Sequence, residues 1–100
     1  MTPRGYYSGT GPWWLRILLP GWEGKVFYPD GRGLNVCKKG PKLPFSWAKH
    51  YRDDTVMIVY DPPYSRITDV ITLEDEVWKG EIFAWGVKVG TFRLMRGGSD

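Results

Sequence analysis

The stretch EGKVFYPDGRGLNVC, Glu23–Cys37, places a tight turn between two β-prone runs. In YPDGRG, proline stands where φ must be preset and glycine where positive φ is needed, which is the chemistry of a hairpin turn. The reading is a hairpin with arms near 23–28 and 32–38. Its first arm belongs to WEGKVF (Trp22–Phe27), which has a near copy in WKGEIF (Trp78–Phe83) with the two charges exchanged. A two-residue period puts Trp and Gly of each copy on one face with Val26 or Ile82. The charged pair then shares the other face with Phe27 or Phe83. A large residue beside an empty position suits the inside of a curved sheet, where a neighbouring ring fills the gap. The flanks of the copies differ, so this is a repeated packing device rather than a duplicated unit. If the two strands are neighbours, Glu23–Lys79 and Lys25–Glu81 attraction is expected.

Outward from the hairpin, residues 1–12 are rich in Gly, Ser, Thr and Pro without a period, and an irregular arm is expected. WWLRILL (Trp13–Leu19) alternates as a first strand, with Trp13, Leu15, Ile17 and Leu19 on one face. Pro41 and Pro44 interrupt the next segment, and a short helical turn is expected near residues 45–52. DTVMIVYD is apolar on both faces and reads as a strand covered on both sides. After it, RITDVITL alternates. The last hairpin joins EVWKGEIF to VKVGTFRLMR through AWG, with Trp78, Gly80, Ile82 and Ala84 facing inward. Val87 and Val89 fall out of phase with Phe92 and Leu94, which predicts a bulge near Gly90. Residues 97–100 read as a disordered tail. The sum is an all-β chain of about seven strands, 13–96, forming a small antiparallel barrel or half-barrel.

One hundred residues hold a single domain. Six Trp, six Tyr and four Phe exceed what a compact core of this size usually needs, which favours an aromatic-lined cavity or an interface. The net charge of +3 is too small for a nucleic-acid signature. One Cys and one His exclude an intrachain disulfide and the usual metal-ligand clusters, so no metal and no cofactor are expected. The lone Cys37 fits a reducing, cytoplasmic setting, and no apolar run is long enough to span a membrane as a helix.

Candidate chemistry is sparse. His50, beside Asp53 and Asp54, is a conceivable general base, and Asp61 another. Cys37 next to Lys38 and Lys39 is a conceivable thiolate, but a half-buried strand residue is the better reading. YDPPYSRITD gathers Tyr60, Asp61, Tyr64, Arg66 and Asp69 around a turn that could fix the polar end of a ligand. Arg93 stands in an otherwise apolar strand, where a buried charge needs a partner.

Trp22, Gly24, Lys25 and Phe27, then Tyr60, Asp61 and Asp69, then Gly80, Leu94 and Arg96 form a pattern. It resembles a small family of lipocalin-like β-domains with a W-x-G-K-x-F strand, a YD-x-x-P segment and a final L-x-R. The Gly-x-Trp-x-Gly partner segment that such domains often carry does not occur in this sequence. The resemblance implies a small barrel or half-barrel and no established reaction, so it assigns no catalytic residue.

The function expected from the sequence is non-enzymatic binding of a small, largely apolar or aromatic molecule. Trp13, Trp22, Trp78, Trp85 and Phe92 would form the walls, with Tyr60, Tyr64 and Arg93 as polar contacts. If the barrel is too small for a cavity, the aromatics would form a homodimer interface. The alternatives are nucleic-acid binding through Lys, Arg and exposed aromatics, and a small-barrel isomerase or hydrolase using His50 or Asp61.

Overall fold

The computed structural model describes residues 2–39, 42–52 and 54–96. The strands in chain order are β1 (Gly5–Thr10), β2 (Trp22–Phe27), β3 (Arg32–Cys37), β4 (Pro44–Lys49), β5 (Thr55–Tyr60), β6 (Ile67–Glu74), β7 (Val77–Ala84) and β8 (Val87–Arg96). A six-residue helix, α1 (Trp13–Leu18), joins β1 to β2. Each strand pairs antiparallel with the next, and β8 returns to pair with β1, closing the sheet into a barrel. The count is eight strands rather than about seven.

Two strands, β1 and β4, form where none was expected and one expected strand is lost to a helix; residues 5–10, read as an irregular arm, are β1. Its small residues have a packing role that their composition concealed. A side chain at Gly9 would collide with the indole of Trp22, which lies across it. The first strand expected at Trp13–Leu19 is instead α1. A short apolar run fits both periods, and here the helical one wins. Trp14, Leu15 and Leu19 pack on the core, whereas Trp13 and Ile17 face outward.

The helical turn expected near 45–52 is also overturned, since residues 44–49 are β4. Pro44 is its first residue, where the missing N–H costs least. Phe45 is fully buried over Gly33, and the half-buried Trp47 donates its Nε1–H to the carbonyls of Tyr28 and Arg32, 3.0 Å from each. β5 is covered on its inner face alone: Val56, Ile58 and Tyr60 are buried, while Met57 and Val59 are exposed.

Two bulges set which residues face inward. In β8, Gly90 lies opposite Ile82 and Lys88 opposite Phe83, so Val89 is the additional residue, at the place expected from the sequence. The shift brings Val87, Gly90, Phe92 and Leu94 opposite the inward positions of β7. The second bulge was not foreseen. Trp22 pairs with Cys37 and Gly24 with Val36, which leaves Glu23 unpaired and exposed. Downstream of it the phase reverses. Lys25 and Phe27 enter the barrel with Trp22, and Val26 does not share their face.

The core occupies the half of the barrel near the β2–β3, β4–β5 and β6–β7 turns. It contains Tyr7, Phe27, Phe45, Val56, Ile58, Ile71, Trp78 and Leu94. Edge-on ring contacts link Tyr7 to Phe27 at 5.8 Å and Phe27 to Phe45 at 5.4 Å between centroids. The expected tail, 97–100, lies outside the described residues. No helix among the described residues is long and apolar enough to cross a membrane.

Candidate functional site

The other half of the barrel is hollow. A cavity of about 560 Å³ opens between the β1–β2, β3–β4, β5–β6 and β7–β8 connections, with α1 laid across its mouth. Its wall is mainly apolar, from Trp14, Leu15, Trp22, Leu43, Ile82 and Phe92 among others. Trp14 reaches it by packing over Gly90, where a Cβ would come within 2.6 Å of the indole.

At the inner end of the cavity lies a buried polar cluster that the β2 bulge creates. Lys25 enters from β2, Asn35 from β3, Tyr60 from β5 and Asp69 from β6, and all four are buried. Lys25 Nζ donates to Asn35 Oδ1 at 2.7 Å and to the Tyr60 hydroxyl, and lies 3.2 Å from Asp69 Oδ2. Tyr60 in turn donates to Asp69 Oδ2 at 2.6 Å. Trp22 Nε1 donates to the same Asn35 oxygen at 3.1 Å. Both of these donors lack acceptor capacity, so the Asn35 amide is fixed with its oxygen toward them. Its nitrogen, Nδ2, is buried and has no hydrogen-bond partner among the described residues.

Burial and charge act together on these groups. Burial lowers the Lys25 pKa, and the neighbouring Asp69 carboxylate works against that fall. Tyr60 is pushed well above its ordinary value, first by burial and then by the Asp69 charge and the hydrogen bond to it. The nearby Asn35 amide works against that rise without reaching hydrogen-bond geometry. Aromatic rings enclose the ammonium: Nζ lies 4.9 Å from the Tyr60 centroid, 5.2 Å from Phe45, 5.4 Å from Phe92 and 6.0 Å from Trp22. Taking this pair out of water is costly, and the attraction, hydrogen bonds and ring contacts offset that cost only as a set.

Of the residues singled out in the sequence, Trp22, Tyr60 and Phe92 line the cavity, and Tyr64 and Trp85 stand at its rim. Trp85 is 70% exposed at the β7–β8 turn. Three expected contacts lie elsewhere. Trp13 is 75% exposed on the outside of α1, and its neighbour Trp14 faces the cavity instead. Trp78 is buried in the packed half. Arg93 is not a buried charge: it is exposed and borders an open, more polar groove of about 630 Å³ that also involves Thr10, Glu74 and Lys79. That groove lies against the wall, whereas the larger apolar surface and the buried cluster belong to the interior cavity.

The candidate bases are not at the cavity either. Asp61 takes two hydrogen bonds from Arg32, at 2.9 and 2.6 Å, and the guanidinium holds its carboxyl below the ordinary range. His50 sits in the loop before β5, at the far end from the mouth, and its Nδ1 accepts the Arg52 backbone N–H at 3.3 Å. Cys37 does line the cavity, but burial raises its pKa, so it stands as a half-buried thiol and not a thiolate. The Glu23–Lys79 and Lys25–Glu81 pairs do not form because β2 and β7 are not neighbours. Lys79 pairs with Glu74 and Lys88 with Glu81.

Lys25 and Asn35 were not among the candidate residues expected from the sequence. Asp69 and Tyr60 stood together in YDPPYSRITD. Lys25 was assigned to the face opposite Trp22, and one extra residue in the strand reverses that assignment. Trp22, Lys25, Tyr60 and Asp69, four of the residues carrying the resemblance to lipocalin-like domains, meet in or beside this cluster. No family model, curated protein or solved structure matches the chain.

Proposed function

We propose that the protein binds a small, largely apolar molecule inside its barrel, as lipocalin-like domains would. The cavity carries this reading: about 560 Å³ of mainly apolar space ending on a small set of buried polar groups, the composition of a small-molecule site. α1 spans the mouth with only six residues, so a ligand entering there passes between the helix and the β5–β6 and β7–β8 turns. Binding needs no side chain of unusual reactivity, and the half-buried free thiol of Cys37 suits a reducing, cytoplasmic setting.

The test uses N-phenyl-1-naphthylamine, whose fluorescence rises in apolar sites. Saturable 1:1 enhancement is expected with the wild-type protein. It should be lost in Ala84→Trp, which fills the mouth, while the far-UV circular dichroism stays unchanged. A wild-type protein that leaves the probe dark would refute the reading.

A second reading, self-association, draws on a different observation. Trp13, Ile17, Leu18, Trp85 and Val87 leave an exposed apolar rim around the mouth. Light scattering across a concentration series would show a dimer weakened by Trp13→Ser with Trp85→Ser. The nucleic-acid alternative gains less, since Lys25, Arg32, Lys79 and Lys88 are each engaged by a carboxylate.

A further inference from the structure

The polar end of the cavity restricts which apolar molecules it can hold. Lys25 and Asp69 are the charged residues on its wall among the described residues, and together they are neutral wherever the shared proton sits. The ammonium has three N–H groups and three acceptors around it: Asn35 Oδ1, the Tyr60 oxygen and Asp69 Oδ2. The Tyr60 proton is committed to Asp69, and the Trp22 proton to Asn35. What remains is Asn35 Nδ2, a buried donor with no hydrogen-bond partner among the described residues, on a side chain whose orientation the other bonds fix.

We infer that the ligand is an uncharged, mainly apolar molecule with one carbonyl-type oxygen, and that Asn35 Nδ2–H donates to this oxygen at the inner end of the cavity. The inference rests on the binding reading above and narrows it to a chemical class. A carboxylate is disfavoured, because it would bury a net negative charge beside Asp69 and find no uncommitted cation to pair with. A pure hydrocarbon fills the apolar wall but leaves the Asn35 donor unsatisfied. A neutral carbonyl compound satisfies both, and a single hydrogen bond to a buried unpaired donor is enough to separate it from the hydrocarbon.

The experiment compares three molecules with one ring frame: 1-tetralone, tetralin and tetralin-1-carboxylate. Each displaces N-phenyl-1-naphthylamine from the wild-type protein at pH 7. The ketone should bind roughly tenfold more tightly than the hydrocarbon, and the carboxylate more weakly than both. In the ¹⁵N spectrum of the wild-type protein, the Asn35 side-chain amide resonances should shift with the ketone and not with tetralin. Asn35→Asp keeps acceptors for Trp22 and Lys25 but removes the N–H, and it should abolish the ketone preference. The wild-type series decides the matter even if that variant does not fold. Equal affinity for ketone and hydrocarbon, or the carboxylate binding best, overturns the inference and leaves the apolar cavity standing. Failure of the probe itself to bind overturns the cavity reading as well.

Discussion

β2 and β7 carry nearly the same six residues and do opposite things with them. In β7 the period runs without interruption: Trp78, Gly80 and Ile82 face inward, while Lys79 and Glu81 form ion pairs on the outside. The vacancy at Gly80 is filled by the ring of Phe92 from β8. In β2 the unpaired Glu23 shifts the phase after Trp22, so Lys25 is 2% exposed inside the barrel and the space at Gly24 is taken by the Tyr7 carbonyl of β1. The bulge therefore decides whether the same lysine-bearing motif decorates a surface or builds a polar site. Bulges re-aim side chains in this way next to functional sites.

Removing each lysine in turn gives the largest expected contrast. Lys25→Met strands the buried Asp69 carboxylate and should cost about 3–5 kcal/mol in urea denaturation. Lys79→Met, at an exposed pair, should cost at most about 1 kcal/mol. Adding Asp69→Asn to Lys25→Met should recover most of the loss, since replacing both partners removes the stranded charge. Equal costs at the two lysines would mean that Lys25 is not enclosed as described.

The glycines give the next contrast. Gly80→Ala presses on the Phe92 ring, which borders the cavity and can yield, and should fall within the about 1–3 kcal/mol typical of overpacking. Gly24→Ala meets backbone at Tyr7 and can be accommodated only by parting β1 from β2, so its midpoint of thermal unfolding should drop further. The opposite order would contradict the different roles assigned to the two positions.

The last contrast is a pH dependence of β2's cluster, read only at the alkaline end of the range. The Tyr60 pKa is raised on folding, so the folded state holds the proton where the unfolded chain has lost it. Its contribution is complete below about 10 and declines as pH rises toward the folded value. Lys25 is lowered, so its contribution increases with pH between its folded value and about 10.4. Above both unfolded values the Tyr60 decline remains within the cluster, and Tyr60→Phe should remove that part. A wild-type profile indistinguishable from Tyr60→Phe in that range would count against the buried hydroxyl.

How much of this was legible in the sequence follows from where the chain signals its geometry. The Pro29–Gly31 turn, the inward face of β7 and the bulge near Gly90 are written in residue types, and all three appear in the structure. The β2 bulge is not: Glu23 is an ordinary strand residue, and a one-residue slip moves every later side chain to the other face without changing composition. β1 was hidden because its glycine and serine read as loop until Trp22 is seen lying across Gly9. α1 was hidden because Trp13–Leu19 satisfies two periods at once. Of the site, the aromatic wall and Tyr60 were visible; Lys25 and Asn35 needed the register.

The seam between β1 and β8 has a bearing on how the molecule is made. Tyr7 pairs with Arg96, so the final bond line of the sheet joins segments at opposite ends of the chain. During synthesis β1 through β7 can assemble as an open sheet, but its two margins, on β1 and β7, stay bare until β8 is made and pairs with both. Exposed sheet margins invite pairing with other chains. Cutting away residues 5–10 would leave such margins permanently on β2 and β8, turning a sealed barrel into one that recruits its neighbours.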